Sequence, residues 1–154
     1  MPARKTPTRP KKNVVLLAEA DVLVRFSLAD FMRACDVTVI EAVSADDARA
    51  ILLAWPEVGV LMSDTQLAGE GGGFTLAQWV RRHRPKVEIV LTASVPGKAH
   101  AAAAFTARFP DCKPPCDAPA LTAKLNAMLA ERKRRTRQQP RTAVVRPARR
   151  KRVQ

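Results

Sequence analysis

The chain is poor in the residues that mark secreted, membrane-spanning and base-stacking proteins. Its 154 residues include three cysteines, no tyrosine and an aromatic share of 5%. No apolar run reaches the length of about 18 residues that a membrane span needs, and the N-terminal MPARKTPTRPKK lacks the apolar core of a signal peptide. We therefore expect no disulfide framework, no membrane association and a cytoplasmic location.

The three cysteines are sparse and odd in number. Cys112 and Cys116 form the motif CKPPC, but no second Cys/His pair accompanies them to complete a tetrahedral zinc site. Cys35 is distant from both in the chain. The sequence therefore predicts three reduced thiols.

The net charge of +13 is concentrated at the two ends of the chain. Residues 1–12 contribute +5 and residues 131–154 contribute +10, whereas the segment 13–130 carries −2. The two basic segments contain too few apolar residues to offset the entropy that ordering would cost. We predict a single globular domain over 13–130 between two disordered basic tails.

Within 13–130, short apolar runs alternate with longer stretches of helical spacing. The runs have strand length and are rich in Val, Ile and Leu: 13–18, 37–40, 58–63 and 87–92. Strands that are apolar on both faces and separated by helices predict a doubly wound α/β fold with a parallel sheet. A fifth strand is expected at RFPDCK (108–113), but its proline and aspartate predict a weak, irregular edge strand.

Polar side chains follow the predicted strands at their carboxyl ends. Glu19 and Asp21 follow strand one, Asp64 ends strand three, Thr92 ends strand four and Lys113 ends the weak fifth strand. Each alone has an ordinary explanation, such as a helix cap or a solvated lysine. Because the carboxyl ends of parallel strands form the working crevice of such folds, we expect the five side chains to converge there.

These residues lie in segments that resemble the receiver domain of two-component response regulators. The resemblance covers essentially all of 13–130, and its anchors are LLAEADVLVR (16–25), VLMSDTQLAGEGG (60–72), IVLTAS (89–94) and CKPP (112–115). It implies a flavodoxin-like topology with five parallel strands. It also implies that the chain is a signalling phosphoacceptor, not an enzyme acting on other substrates.

The resemblance assigns roles to individual positions. Asp64 corresponds to the aspartate that accepts a phosphoryl group, while Thr92 and Lys113 correspond to the hydroxyl and ammonium that contact that group. Gln66 and Ser94 stand at positions that tune the lifetime of the phosphoryl group. A carboxylate is a weak nucleophile, so such a transfer depends on positioning and on screening of the phosphoryl oxygens.

Receiver domains hold Mg²⁺, and the resemblance implies a site made by Glu19, Asp64 and the backbone carbonyl of Gln66. Ala20 stands where the family usually has a second acidic ligand, so we expect weakened Mg²⁺ binding, with Asp21 as a substitute ligand. Two interpretations remain open. The domain either binds Mg²⁺ weakly and is phosphorylated, or it is a pseudo-receiver that binds partners in one state.

The resemblance also implies partners. A histidine kinase or histidine phosphotransfer protein would supply the phosphoryl group. With no second folded domain expected after residue 130, the output would be binding to a downstream protein. The basic tail 131–154 suggests an alternative, in which the tail binds nucleic acid without sequence preference or binds an acidic partner surface. A purely solubilising tail is the third interpretation.

Overall fold

The computed structural model describes residues 11–139, with the side chains of residues 11 and 12 excluded. Strands and helices alternate along most of this range. The elements are β1 (Lys11–Ala18), α1 (Val22–Arg33), β2 (Thr38–Ala42), α2 (Ala45–Ala54), β3 (Val58–Asp64), α3 (Gly72–His83), β4 (Glu88–Thr92), α4 (Val95–Thr106) and α5 (Ala118–Gln138).

The four strands form one parallel sheet in the order β2-β1-β3-β4. The central strands are buried on both faces: every residue of β3 before Asp64 is buried. This burial explains why the strands read as continuous apolar runs and not as alternating ones. The predicted doubly wound α/β class is confirmed.

The prediction of a fifth strand was wrong for the part of the chain that the structure describes. Residues 107–117 form turns and irregular backbone, and β4 is the last strand in the order. Pro110, Pro114 and Pro115 cannot donate backbone hydrogen bonds to a neighbouring strand. Because β4 has a neighbour on one side only, most of its residues are half-buried where those of β3 are buried.

The helices cover the two faces of the sheet with separate hydrophobic cores. β1 supplies both, since its alternate side chains point to opposite faces. Val15 and Leu17 belong to the core shared with α1, α4 and α5. Leu16 and Ala18 belong to the core shared with α2 and α3.

Helix α4 packs beside α1 and α5. Its apolar face contributes Ala99, Ala102 and Phe105 to the core that also contains Leu121 and Leu125 of α5. These α4 residues recur every three positions, so they lie on one side of the helix. That side packs in the core shared with α1 and α5. The first turn of α4 lies at the carboxyl edge of the strands, where Lys98 contacts Glu19 and Asp64.

The cysteine prediction needs a correction. Cys35 and Cys112 form a disulfide with a Cα–Cα distance of 4.8 Å, and Cys116 is free. The bond joins residues separated by 77 positions, so spacing along the chain could not indicate it. It ties Cys35, two residues after the end of α1, to the segment 107–117, where a fifth strand was expected.

Helix α5 extends beyond the predicted domain boundary. It begins after the N-cap Asp117 and runs to Gln138, so the first residues of the predicted disordered tail are helical. Glu131 supports this extension, since it pairs with Arg134 and Arg135 on the next turn. The remaining tail predictions, for 1–10 and 140–154, lie outside the described residues. No helix within 11–139 is long and apolar enough to cross a membrane.

Candidate functional site

The carboxyl ends of β1, β3 and β4 meet at one edge of the sheet. Asp64 and Thr92 are direct partners in the register of β3 and β4. Glu19 follows β1, and its backbone N–H donates to Ala42 O at 3.0 Å. The strand order therefore places Glu19, Asp64 and Thr92 at one edge of the sheet.

A lysine lies between the two carboxylates. The Lys98 ammonium contacts Glu19 Oε2 at 2.6 Å and Asp64 Oδ2 at 2.8 Å. Lys98 comes from the first turn of α4 and is only 7% exposed. Burial alone would lower the pKa of Lys98, but its hydrogen bonds to Asp64 and Glu19 outweigh burial and raise that pKa above its ordinary value.

All four oxygens of the two carboxylates accept hydrogen bonds. Glu19 Oε1 accepts the backbone N–H of Asp21 at 3.0 Å, and Asp64 Oδ1 accepts the backbone N–H of Gln66 at 2.9 Å. The other oxygen of each accepts from Lys98. Both acids are therefore oriented by the backbone on one side and by the ammonium on the other.

Asp64 is the most accessible member of this cluster. Its side chain is 13% exposed, against 4% for Glu19. Thr92 is buried, and its hydroxyl donates a long hydrogen bond of 3.4 Å to Ser63 O. Behind Asp64, a side chain on Gly73 would collide with the Asp64 carbonyl, so the start of α3 requires glycine to pack this closely.

Asp21 has a different partner. It caps α1 by accepting the N–H groups of Leu23 and Val24 at 3.0 and 3.3 Å. Its two oxygens also accept from the Arg132 guanidinium of α5 at 2.7 and 3.1 Å. The hydrogen bond from Arg132 is the main cause that lowers the pKa of Asp21.

Lys113, the ammonium expected at the site, lies in the irregular segment after α4. It is exposed, and among the described residues it makes no hydrogen bond or ion pair with Asp64 or Glu19. Gln66 is exposed beside the site and contributes its N–H to Asp64. Ser94 is the N-cap of α4, where its hydroxyl accepts the Gly97 N–H at 3.2 Å.

The arrangement does not fit a divalent cation. Mg²⁺ requires several free oxygen ligands in near-octahedral geometry. In the crevice, each carboxylate oxygen of Glu19 and Asp64 already accepts a hydrogen bond. Ala20 has no side-chain oxygen to offer. The Asp21 carboxylate is paired with the Arg132 guanidinium. Across the described residues, no group of three or more His, Cys, Asp or Glu could hold a metal ion. Mg²⁺ binding by this chain stays a prediction.

Lys98 is the residue that sequence reasoning missed. The α4 sequence VPGKAHAAAAFT contains a signal that Lys98 is buried. Lys98 has the spacing of one helical face with Ala102 and Phe105, and both of these residues are apolar. A lysine in an apolar stripe predicts a buried ammonium, which needs a carboxylate partner. The carboxyl edge of the sheet is the nearest source of one.

Solved structures with a similar fold include several response regulator receivers. A receiver protein from Pseudomonas putida has a TM-score of 0.50 and 21% identity, covering 57% of this chain and 70% of its own. A CheY-like receiver domain from Methanospirillum hungatei has a TM-score of 0.50 and 16% identity, covering 83% and 99%. The non-phosphorylated receiver domain of RcsB from Escherichia coli has a TM-score of 0.50 and 18% identity, covering 82% and 95%.

Comparison of sequences gives no further assignment. No protein-family model matches the chain, and no curated protein matches it significantly. The structural matches, in contrast, agree on one architecture across bacterial and archaeal proteins. The chain has the fold of a response regulator receiver domain.

Proposed function

We propose that the protein is a receiver in two-component signalling and that Asp64 accepts a phosphoryl group from a histidine kinase or a histidine phosphotransfer protein. The observation that carries this proposal is the placement of Asp64: its carboxylate ends the central strand β3, beside Thr92, and is the accessible acid of a buried polar cluster. A downstream protein would then read the added charge. The receiver fold supports the proposal.

The chemistry asks little of the surrounding residues. An Asp64 oxygen attacks phosphorus, the bond between phosphorus and the donor atom breaks, and the donor leaves with the electron pair. The Gln66 N–H orients the carboxylate, since it binds Oδ1 at 2.9 Å. After transfer the group carries a charge of about −2 that the Thr92 hydroxyl can contact on turning away from Ser63 O.

Labelling with acetyl phosphate tests the proposal. Wild-type protein should gain one phosphoryl group by mass, and Asp64→Asn should gain none. Asp111→Asn is the matched control, since Asp111 is exposed and remote in sequence from the crevice. Label that survives Asp64→Asn would rule Asp64 out as the acceptor.

A second function is favoured by the ion pairs themselves. Lys98 already neutralises Asp64, so the domain could work as a pseudo-receiver in a single state. The exposed cations at the end of α5 would then provide the binding surface for nucleic acid or an acidic partner, together with the basic residues that follow outside the described range. In this case no phosphoryl donor labels the protein.

A salt-titrated DNA shift assay tests that surface. Replacing Lys133 and Arg137 by Gln removes two exposed charges from α5, and should lower the slope of log affinity against log salt by roughly two. The control changes Arg81 and Arg82 to Gln, which removes the same charge from the exposed end of α3. Equal losses in both variants would indicate attraction to net charge alone.

A further inference from the structure

We infer that the Lys98 ammonium takes the place of the divalent cation, so that the crevice is neutralised from within the chain and phosphoryl transfer to Asp64 is independent of Mg²⁺. This inference rests on the proposed phosphoacceptor function. The observation that supports it is that Lys98 Nζ contacts both Glu19 Oε2 at 2.6 Å and Asp64 Oδ2 at 2.8 Å.

The ligands that a metal would need are already engaged. Mg²⁺ would have to displace the ammonium from two short contacts in which both partners are nearly or fully buried. A metal entering beside Lys98 instead would meet a like charge in a site of low dielectric. The carboxyl pair and the ammonium sum to a single negative charge, which is a weak attraction for a strongly hydrated dication.

Position also suits Lys98 to the role that a cation plays in the transfer. Phosphoryl transfer requires screening of the phosphoryl oxygens more than covalent assistance. An ammonium with three donors, held on Asp64 Oδ2, can keep a bond to Glu19 and direct another donor to an incoming oxygen. The P–O bond to Asp64 forms as the donor bond breaks, and Lys98 keeps its proton throughout.

The fold explains how a helix residue reaches this position. In the described chain no fifth strand carries a lysine to the crevice, and Lys113 is exposed. α4 packs on α1 and α5, and its buried Ala99, Ala102 and Phe105 hold the first turn against the carboxyl edge. Lys98 is thus fixed by the packing of its own helix.

Two measurements on the full chain test the inference. In the first, wild-type protein is titrated with MgCl₂ alone and followed by calorimetry and amide NMR shifts. We expect no saturable binding up to about 10 mM, roughly ten times the weakest dissociation constants of carboxylate cation sites. Saturable binding of Mg²⁺ by wild type, with amide NMR shifts at Glu19 and Asp64, would overturn the inference. It would leave the proposed phosphorylation of Asp64 untested by this measurement and still open to the labelling assay.

In the second, the rate of labelling by acetyl phosphate is compared in Mg²⁺ and in EDTA. Wild type should differ by less than about twofold, whereas Lys98→Met should lose about a hundredfold in EDTA, the loss typical of removing one screening group. Lys86→Met is the control, since Lys86 is exposed on the turn before β4. Wild-type labelling that stops in EDTA, or a Lys98→Met rate equal to that of the control, would contradict the inference.

The outcomes separate the two proposals. If wild type is unlabelled in both buffers, the phosphoacceptor function fails, and the Mg²⁺ titration still decides whether Lys98 replaces the metal. If Lys98→Met does not fold, the wild-type titration and the EDTA comparison decide, because neither needs a variant. Label that requires Mg²⁺ retains the function and removes the inference.

Discussion

At the scale of residues, the cluster of Glu19, Asp64 and Lys98 has a large effect on stability as well as chemistry. One ammonium compensates two carboxylates that are 4% and 13% exposed. A buried ion pair contributes little when compared with apolar packing, but the loss of one partner leaves an uncompensated charge. The cluster is therefore more sensitive to the loss of Lys98 than to any exposed charge.

We predict that Lys98→Met lowers the free energy of unfolding by about 3–5 kcal/mol at neutral pH, since the buried Glu19 and the partly buried Asp64 lose their counter-charge. Urea denaturation measures this loss. Lys86→Met should change the free energy of unfolding by no more than about 0.5 kcal/mol, as expected for an exposed site. A small loss for Lys98→Met would mean that the ammonium is solvated and unpaired in solution.

Ala20→Asp should convert the crevice towards metal binding. It adds a carboxylate next to Glu19 and raises the net negative charge beside Lys98, so Mg²⁺ gains a ligand and a stronger attraction. Ala20→Asn is the control, because it has the same shape without the charge. Calorimetric titration with MgCl₂ should show uptake by the aspartate variant alone, and equal behaviour of both variants would argue that residue 20 is not a ligand position.

Individual site residues differed in how well the sequence predicted them. The crevice placement of Glu19, Asp64 and Thr92 follows from the parallel strand order, which an apolar pattern indicates well. Lys98 lies where Lys113 was expected, because the packing of α4 places its first turn at the carboxyl edge of the sheet. The apolar stripe of α4 indicates that Lys98 is buried, but the carboxylates that it contacts are decided by the packing of α4 against α1 and α5.

At the scale of elements, the segment 107–117 lies where a fifth strand was expected and is attached to the rest of the fold by a disulfide. Three prolines prevent regular pairing, and the Cys35–Cys112 disulfide holds the segment to the end of α1. The four observed strands were predictable because each is a nearly continuous apolar run. The sequence predicted a weak fifth strand but not its absence, because a disulfide between distant residues leaves no periodic signal.

The disulfide predicts a simple thiol count. Unfolded, non-reduced protein should show one reactive thiol, Cys116, and reduced protein should show three. Closing a chain segment of 77 positions should stabilise the fold by roughly 2–4 kcal/mol, so Cys35→Ser should unfold at lower urea concentration than Cys116→Ser. Three reactive thiols without reductant would show that the bond does not form in solution.

At the scale of the whole molecule, the shifted pKa values of Lys98 and Asp21 make stability depend on pH at the alkaline and acid ends of the range. Lys98 has a raised pKa, so its stabilisation is complete below the unfolded value of about 10.4 and is lost as pH rises through the folded value. Asp21 has a lowered pKa through Arg132, so its stabilisation is present above about 3.9 and is lost as pH falls through the folded value.

Arg132→Gln should therefore reduce the dependence of stability on pH at the acid end and leave the alkaline end unchanged. Lys98→Met should reduce the dependence of stability on pH at the alkaline end, because it removes the titrating ammonium. Urea midpoints across the two pH ranges test both, with Lys86→Met as a variant expected to follow wild type. An unchanged acid limb in Arg132→Gln would mean that the Asp21 pair is broken by solvent.

The contact between Arg132 and Asp21 has a consequence for binding. Through that contact α5 is joined to the N-cap of α1, and it shares a core with α4, which carries Lys98. A polyanion that draws Arg132 away from Asp21 removes the main cause that lowers the pKa of Asp21, so binding of the polyanion raises that pKa. Thermodynamic reciprocity then requires that protonation of Asp21 strengthens the binding of that polyanion.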